Sequence, residues 1–327
     1  MNENEEKSSK KQVVQSVLLF ILYITVFCFL IRYVAGNADM MAAIASAPGG
    51  LVAVGLVTTA ISVILTACLD ITCAKVYGIK LTFADATVFT FIASAINLVM
   101  PLQLGSVVKA VYYKKKMQLS YSRYVSILSG TVIISLMITF IIFILSLFYT
   151  MVAWNVDKKY VLLISAFFLI GLAAFAAVLC LQDRVLKIVP LKKYTVPVMT
   201  GFFEIFNTKR AILLCSAEYL LSMVLGGIRF VTIFMILGVP AGFVNGMLYY
   251  GLYRASSFVT IIPGNIGIGE AIVGVMNMIL GADFDAGVTT VLINRIYYYI
   301  VALLGAGVFA IPAWHMFNRE TRHAEDR

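Results

Sequence analysis

The sequence predicts an all-α polytopic membrane protein, and three observations carry that prediction. A chain of 327 residues that is 61% hydrophobic and only 13% charged cannot clothe a water-facing surface. Its apolar runs recur at about 20 residues, the length that takes a helix through a bilayer core of roughly 30 Å. Two of those runs are cut by proline and glycine, at 101–105 and at 263–270, where a helix cannot continue. The expected architecture is six full spans plus two broken re-entrant hairpins, with eight full spans as the alternative and an inverted pseudo-repeat as the candidate symmetry.

The elements follow in order. Residues 1–12 are polar and expected to be disordered, and 13–34 form the first span. That run is too long for a signal-peptide core, although Ala45-Ser46-Ala47 imitates a cleavage site. Residues 51–69 cross back, ahead of Lys75 and Lys80. The apolar run 86–100 is only about 15 residues, or roughly 22 Å of helix. Lysines on both sides, with Lys109, Lys114, Lys115, Lys116 and Arg123 following, suggest a hairpin that dips in and returns to the same face. Residues 125–152 cross, 160–181 return, and 184–210 form a basic loop. Residues 211–237 cross outward, and 245–262 with 271–280 make the second hairpin, from the opposite face. The acidic turn at Asp283 and Asp285 and the last span, 288–311, complete a single membrane domain over 13–312, with a tail at 313–327. Only Arg32, Lys158 and Lys159 then lie outside, so charge asymmetry places both termini in the cytoplasm and the protein in the plasma membrane.

Composition also limits the chemistry. The net charge of +9 sits in short loops and is a topology signal, with no aromatic-laced basic domain for nucleic acid. The five cysteines lie in or beside apolar runs with no C-x-x-C pair, so neither a disulfide framework nor a metal site is expected. His315 and His323 have no recognisable nucleophile partner, and the absence of a P-loop means that no nucleotide cofactor is expected.

The candidate site is built from buried charge and open backbone. Glu218, Arg229, Arg254, Glu270 and Arg295 fall inside apolar runs, where each would cost about 2.5 to 3.5 kcal/mol on a lone helix. Such residues pair with one another or mark a substrate path. The structural alternative is a set of ion pairs such as Glu270 with Arg254 or Arg295. Glu218 and Arg229 return to nearly the same helix face about 16 Å apart and could line one cavity. Around the second break, Gly264, Asn265 and Gly267 free the backbone, and the following half-helix would aim its N-terminus at an anionic group. Asn97, Pro101, Gly105 and Lys109 recur every four residues around the first break, with Gln103 between them and Lys109 available for a phosphate.

Asn97 to Lys109 reads N-L-V-M-P-L-Q-L-G-S-V-V-K, Pro263 to Glu270 reads P-G-N-I-G-I-G-E, and Asn294 and Arg295 lie in the last span. With these motifs the chain resembles the lysylphosphatidylglycerol synthase transmembrane family, from the first span to Ile311. It departs from the family pattern at Asn265, where a second glycine is usual, and at Ser106 and Lys109, where an acidic residue and an arginine are common. Members include the flippase half of the multiple peptide resistance factor, so the resemblance implies a flippase-like transporter. The cargo would be an aminoacylated or anionic phospholipid of the lysyl-phosphatidylglycerol type, or a polyprenyl-phosphate lipid. The cytosolic lysyltransferase domain of bifunctional relatives is not in the chain, so transport rather than synthesis is expected. A homo-oligomer or a separate lipid-modifying synthase are the candidate partners. Two other readings stay open: a membrane transferase using Glu270 as base with Asp283 and Asp285 on a metal, and an accessory subunit of cell-envelope assembly.

Overall fold

The computed structural model describes residues 38–99, 104–154, 192–257 and 267–325, together with Arg32 and Gly36. Those residues form ten α-helices and no strand. In order they are α1 (Ala38–Ala45), α2 (Gly49–Val76), α3 (Phe83–Val99), α4 (Leu104–Met117), α5 (Tyr121–Trp154), α6 (Lys192–Asn207), α7 (Lys209–Ile236), α8 (Phe243–Ser256), α9 (Ile268–Ile279) and α10 (Phe284–Glu325). Four of them, α2, α5, α7 and α10, are long and apolar enough to cross a membrane. The expected spans at 13–34, apart from Arg32, and at 160–181, and the tips of both breaks, lie outside the described residues.

The stretch after the first break and much of the segment read as a basic loop, 184–210, are helices. Residues 104–117 form α4, which places Lys109 in the protein interior rather than among the surface lysines that follow it. Within 192–210, α6 buries Phe202, Phe203 and Ile205 and packs on α5. In both, apolar residues at helical spacing outweigh the lysine signal, because a lysine at a helix end can stay in water while the rest of the turn packs.

The described helices fall into two sets that repeat one plan at a constant displacement of 160 residues (49 to 209, 76 to 236, 78 to 238, 83 to 243). The 28-residue helices α2 and α7 each end at a glycine with φ 70°, Gly78 or Gly238. In each case the next residue donates back to the carbonyl five residues earlier, Ile79 N to Ala74 O at 3.1 Å and Val239 N to Phe234 O at 2.9 Å. That left-handed closure suits glycine because it has no Cβ to clash, and it turns the chain into α3 or α8. The second limbs, α4 and α9, end in left-handed residues as well, Gln118 (φ 54°) and Gly281 (φ 79°).

Helices α2 and α7 lie against each other and run antiparallel. Cys73 meets Cys215 and Thr72 meets Glu218 at one end, while Val52 and Leu56 share a cluster with Ile233 and Leu237 at the other. Each half also crosses to the other: α5 packs on α8, and α10 packs on α3. At those crossings Gly251 faces Phe143, and Gly305 faces Phe91. Positions 91 and 251 correspond in the repeat, so the large and small partners have traded helices. Close approach at small residues is how helices associate where lipid is as apolar as leucine. The matching frames and the antiparallel contact of α2 with α7 make the arrangement an inverted repeat.

Candidate functional site

Four helices of the second half, α7 to α10, converge around one carboxylate and three arginines. Gly267, at φ 86°, starts α9, and its N–H donates to Glu270 Oε2 at 2.8 Å. Glu270, 2% exposed, then receives Arg295 of α10 through Nε at 2.6 Å and Nη2 at 3.3 Å. One carboxylate thus caps the half-helix and anchors it to α10, a pairing in which the helix dipole and the guanidinium act in the same direction.

Beside Arg295, Asn294 accepts Arg229 Nε of α7 at 2.6 Å. Arg229 is 5% exposed, and its Nη1 has no hydrogen-bond partner among the described residues. Arg254, at the end of α8, donates to the Tyr219 hydroxyl from Nε at 3.2 Å and Nη2 at 3.0 Å. Tyrosine rings line the guanidinium groups: Arg229 lies over Tyr250 at 5.3 Å, Arg295 over Tyr253 at 5.9 Å, and Arg254 over Tyr219 at 5.8 Å. Tyr250, Tyr253 and Arg254 stand at i, i+3 and i+4 on α8 and so present one face. Among the described residues the cluster therefore holds three cations and one paired carboxylate.

The first half is balanced. Lys109 of α4, 5% exposed, forms an ion pair with Asp70 of α2, 4% exposed, and donates to Thr90 of α3 at 3.1 Å. Asn97 caps α4, its Oδ1 accepting from Gly105 N at 2.8 Å. At the loop end of the same hairpin, Asp85 accepts Lys116 at 2.8 and 3.0 Å, Tyr112 at 2.8 Å and Thr82 at 2.6 Å. The second hairpin is tied at its own base by Tyr249 donating to Asn277 Oδ1 at 2.5 Å.

Of the residues expected in the site, Arg229, Arg254, Gly267, Glu270 and Arg295 come together. Lys109 and Asn97 belong to the other hairpin, and Gln103, Gly264 and Asn265 lie outside the described residues. Glu218 and Arg229 face different neighbours: Glu218 accepts Thr72 of α2 at 3.0 Å, whereas Arg229 turns toward α10. The eleven-residue spacing set the helix face but not which helix would cover it. Asp70 and the three tyrosines were not anticipated. Asp70 follows directly on the 51–69 apolar run, so extending that span by one turn would have brought it into the membrane.

The sequence profile described as "Lysylphosphatidylglycerol synthase TM region" matches residues 13–305. Comparison with curated proteins gives no match.

Proposed function

Because the chain belongs to the lysylphosphatidylglycerol synthase transmembrane-region family, we propose that it moves a phosphate-bearing lipid, such as an anionic or lysyl-phosphatidylglycerol-type phospholipid or a polyprenyl phosphate, between the leaflets of the plasma membrane. One observation carries this reading. Among the described residues Arg229 is buried, has an Nη1 without a partner, and is joined by Arg254 and Arg295 against a single carboxylate. An uncompensated arginine at membrane depth costs about 2.5 to 3.5 kcal/mol on insertion scales, so excess positive charge there needs an anion. A lipid phosphate supplies one, and guanidinium groups bind phosphate in a fixed planar fork.

In this reading the phosphate enters between α7, α8 and α10 and is held by Arg229 and Arg254, while acyl or prenyl tails stay in the bilayer. Glu270 keeps Arg295 aimed and holds the start of α9. The tyrosines position the guanidinium groups by stacking, without adding negative charge. The two hairpins would enter from opposite faces, as inverted repeats do around a mid-membrane site, with both termini in the cytoplasm.

Reconstitution in vesicles carrying tail-labelled phosphatidylglycerol or lysyl-phosphatidylglycerol tests the proposal. Leaflet exchange above protein-free vesicles, reduced at least tenfold by Arg229→Gln, is the expected result. Exchange no faster than in empty vesicles with every lipid tried, or unchanged by Arg229→Gln, would contradict it.

A further inference from the structure

We infer that the headgroup this site takes is a phosphomonoester, a terminal lipid phosphate with close to two negative charges and no cation of its own. The inference rests on the lipid-transport reading above and narrows its cargo.

The argument is a charge count. Arg229, Arg254 and Arg295 bring three positive charges to the cluster and Glu270 one negative, which leaves an excess of two. The Glu270 carboxylate is spent on Arg295 and on the Gly267 N–H. Among the described residues the other two guanidinium groups meet only neutral partners: Asn294 and the Tyr250 ring at Arg229, and Tyr219 at Arg254. Arg229, 5% exposed, keeps its buried Nη1 donor for a group from elsewhere.

The rest of the membrane domain does not change the count. Among the described residues the other carboxylates packed within the helices are engaged away from the cluster. Asp70 is held by Lys109, Asp85 by Lys116, and Glu218 accepts Thr72 of α2. The apolar stretches outside the described residues, 13–31, 100–103, 160–181 and 258–266, contain no Asp, Glu, Lys or Arg. They add nothing to either side.

Headgroups divide on this count. A phosphodiester such as phosphatidylglycerol brings one negative charge and leaves one arginine uncompensated in a medium where that is costly. A phosphomonoester brings about −1.5 to −2 near pH 7 and three strong acceptor oxygens, enough to meet two guanidinium forks at once. An aminoacyl headgroup brings ammonium groups beside the arginines with no carboxylate left to receive them, and like charges held together cost affinity. The order of preference is therefore monoester, then diester, then zwitterionic and aminoacylated lipid.

Lipid retention by the full chain in mild detergent tests this. The probes are defined mixtures of phosphatidic acid, a polyprenyl phosphate, phosphatidylglycerol, phosphatidylethanolamine and lysyl-phosphatidylglycerol, read by mass spectrometry. At about pH 7.5 the better of the two monoesters should be retained about tenfold or more over phosphatidylglycerol, and lysyl-phosphatidylglycerol least. Which monoester leads identifies the tail. The second ionisation of a monoester falls near pH 6, so at about pH 5 the preference should shrink to about twofold or less. Arg254→Gln leaves a single excess charge and should remove most of the preference at about pH 7.5, whereas Arg254→Lys should keep it. Equal retention of monoester and diester at both pH values, or lysyl-phosphatidylglycerol retained as well as a monoester, overturns the assignment. Leaflet exchange of tail-labelled phosphatidylglycerol, measured alongside in vesicles, separates the two readings. Exchange without a monoester preference strikes this inference alone, and neither retention nor exchange of any lipid strikes both.

Discussion

In the first half of the repeat a buried lysine meets a buried aspartate, and in the second half one of three arginines meets a glutamate while the other two meet an asparagine and a tyrosine. The frames around these charges match closely, with equal 28-residue helices, the same glycine closure and the same crossing onto the opposite half. The frame is set by turn chemistry and by small residues at crossings, which any half needs in order to pack. The charges are not part of that frame. Their imbalance separates a half that can be satisfied by its own residues from a half that calls for a ligand.

The largest effect comes from unbalancing the balanced half. Lys109→Met leaves Asp70 buried and alone, and should lower unfolding stability by about 3–5 kcal/mol. Thermal unfolding in a fixed detergent would measure it, and Asp70→Asn added to the same chain should restore most of the loss. The same experiment on the second half should run the other way. Arg229→Gln removes an uncompensated charge, so the melting temperature of ligand-free protein should hold or rise even as lipid exchange falls.

The crossings offer a smaller contrast. A Cβ at Gly305 would come within 2.1 Å of the Phe91 ring, whereas at Gly251 it would sit an ordinary 3.5 Å from Phe143 Cβ. Gly305→Ala should therefore cost about 1–3 kcal/mol by overpacking, and Gly251→Ala well under that. Equal melting temperatures for the two variants would show that the halves do not differ there. The smallest effect is at the ends of the second limbs, where Gln118 adopts the left-handed backbone that Gly281 adopts in the other half. Gln118→Gly should raise stability by up to about 1 kcal/mol by relieving the Cβ clash, and no gain would mean that the Gln118 side chain compensates.

Several of these features were legible in the sequence and others were not, for physical reasons. The second break and the half-helix after it were visible because proline and glycine restrict the backbone locally, whatever surrounds them. The all-helical membrane fold followed from composition and run length in the same way. The Glu270–Arg295 contact stood among two possible pairings, and only packing could choose between Arg254 and Arg295. Asp70 and Lys109 are 39 residues apart on different helices, so the sequence marked Lys109 for a phosphate and could not show that Asp70 is its partner. The tyrosines were invisible as guanidinium supports because aromatics at helical spacing in an apolar run look the same whether they face lipid or protein. The repeat was hidden because it conserves shape and not chemistry: Asp70 stands opposite Phe230, and Phe91 opposite Gly251.

The most direct test of this account is the lipid retained by protein purified in mild detergent, identified by mass spectrometry and compared between variants in the two halves. The unaltered chain and Asp70→Asn/Lys109→Gln should both retain an anionic phosphate lipid in preference to zwitterionic ones, and Arg229→Gln/Arg254→Gln should lose it at least tenfold. Equal retention by the arginine variant, or no preference for anionic lipid in the unaltered chain, would contradict the claim that the second half holds its excess charge for a phosphate.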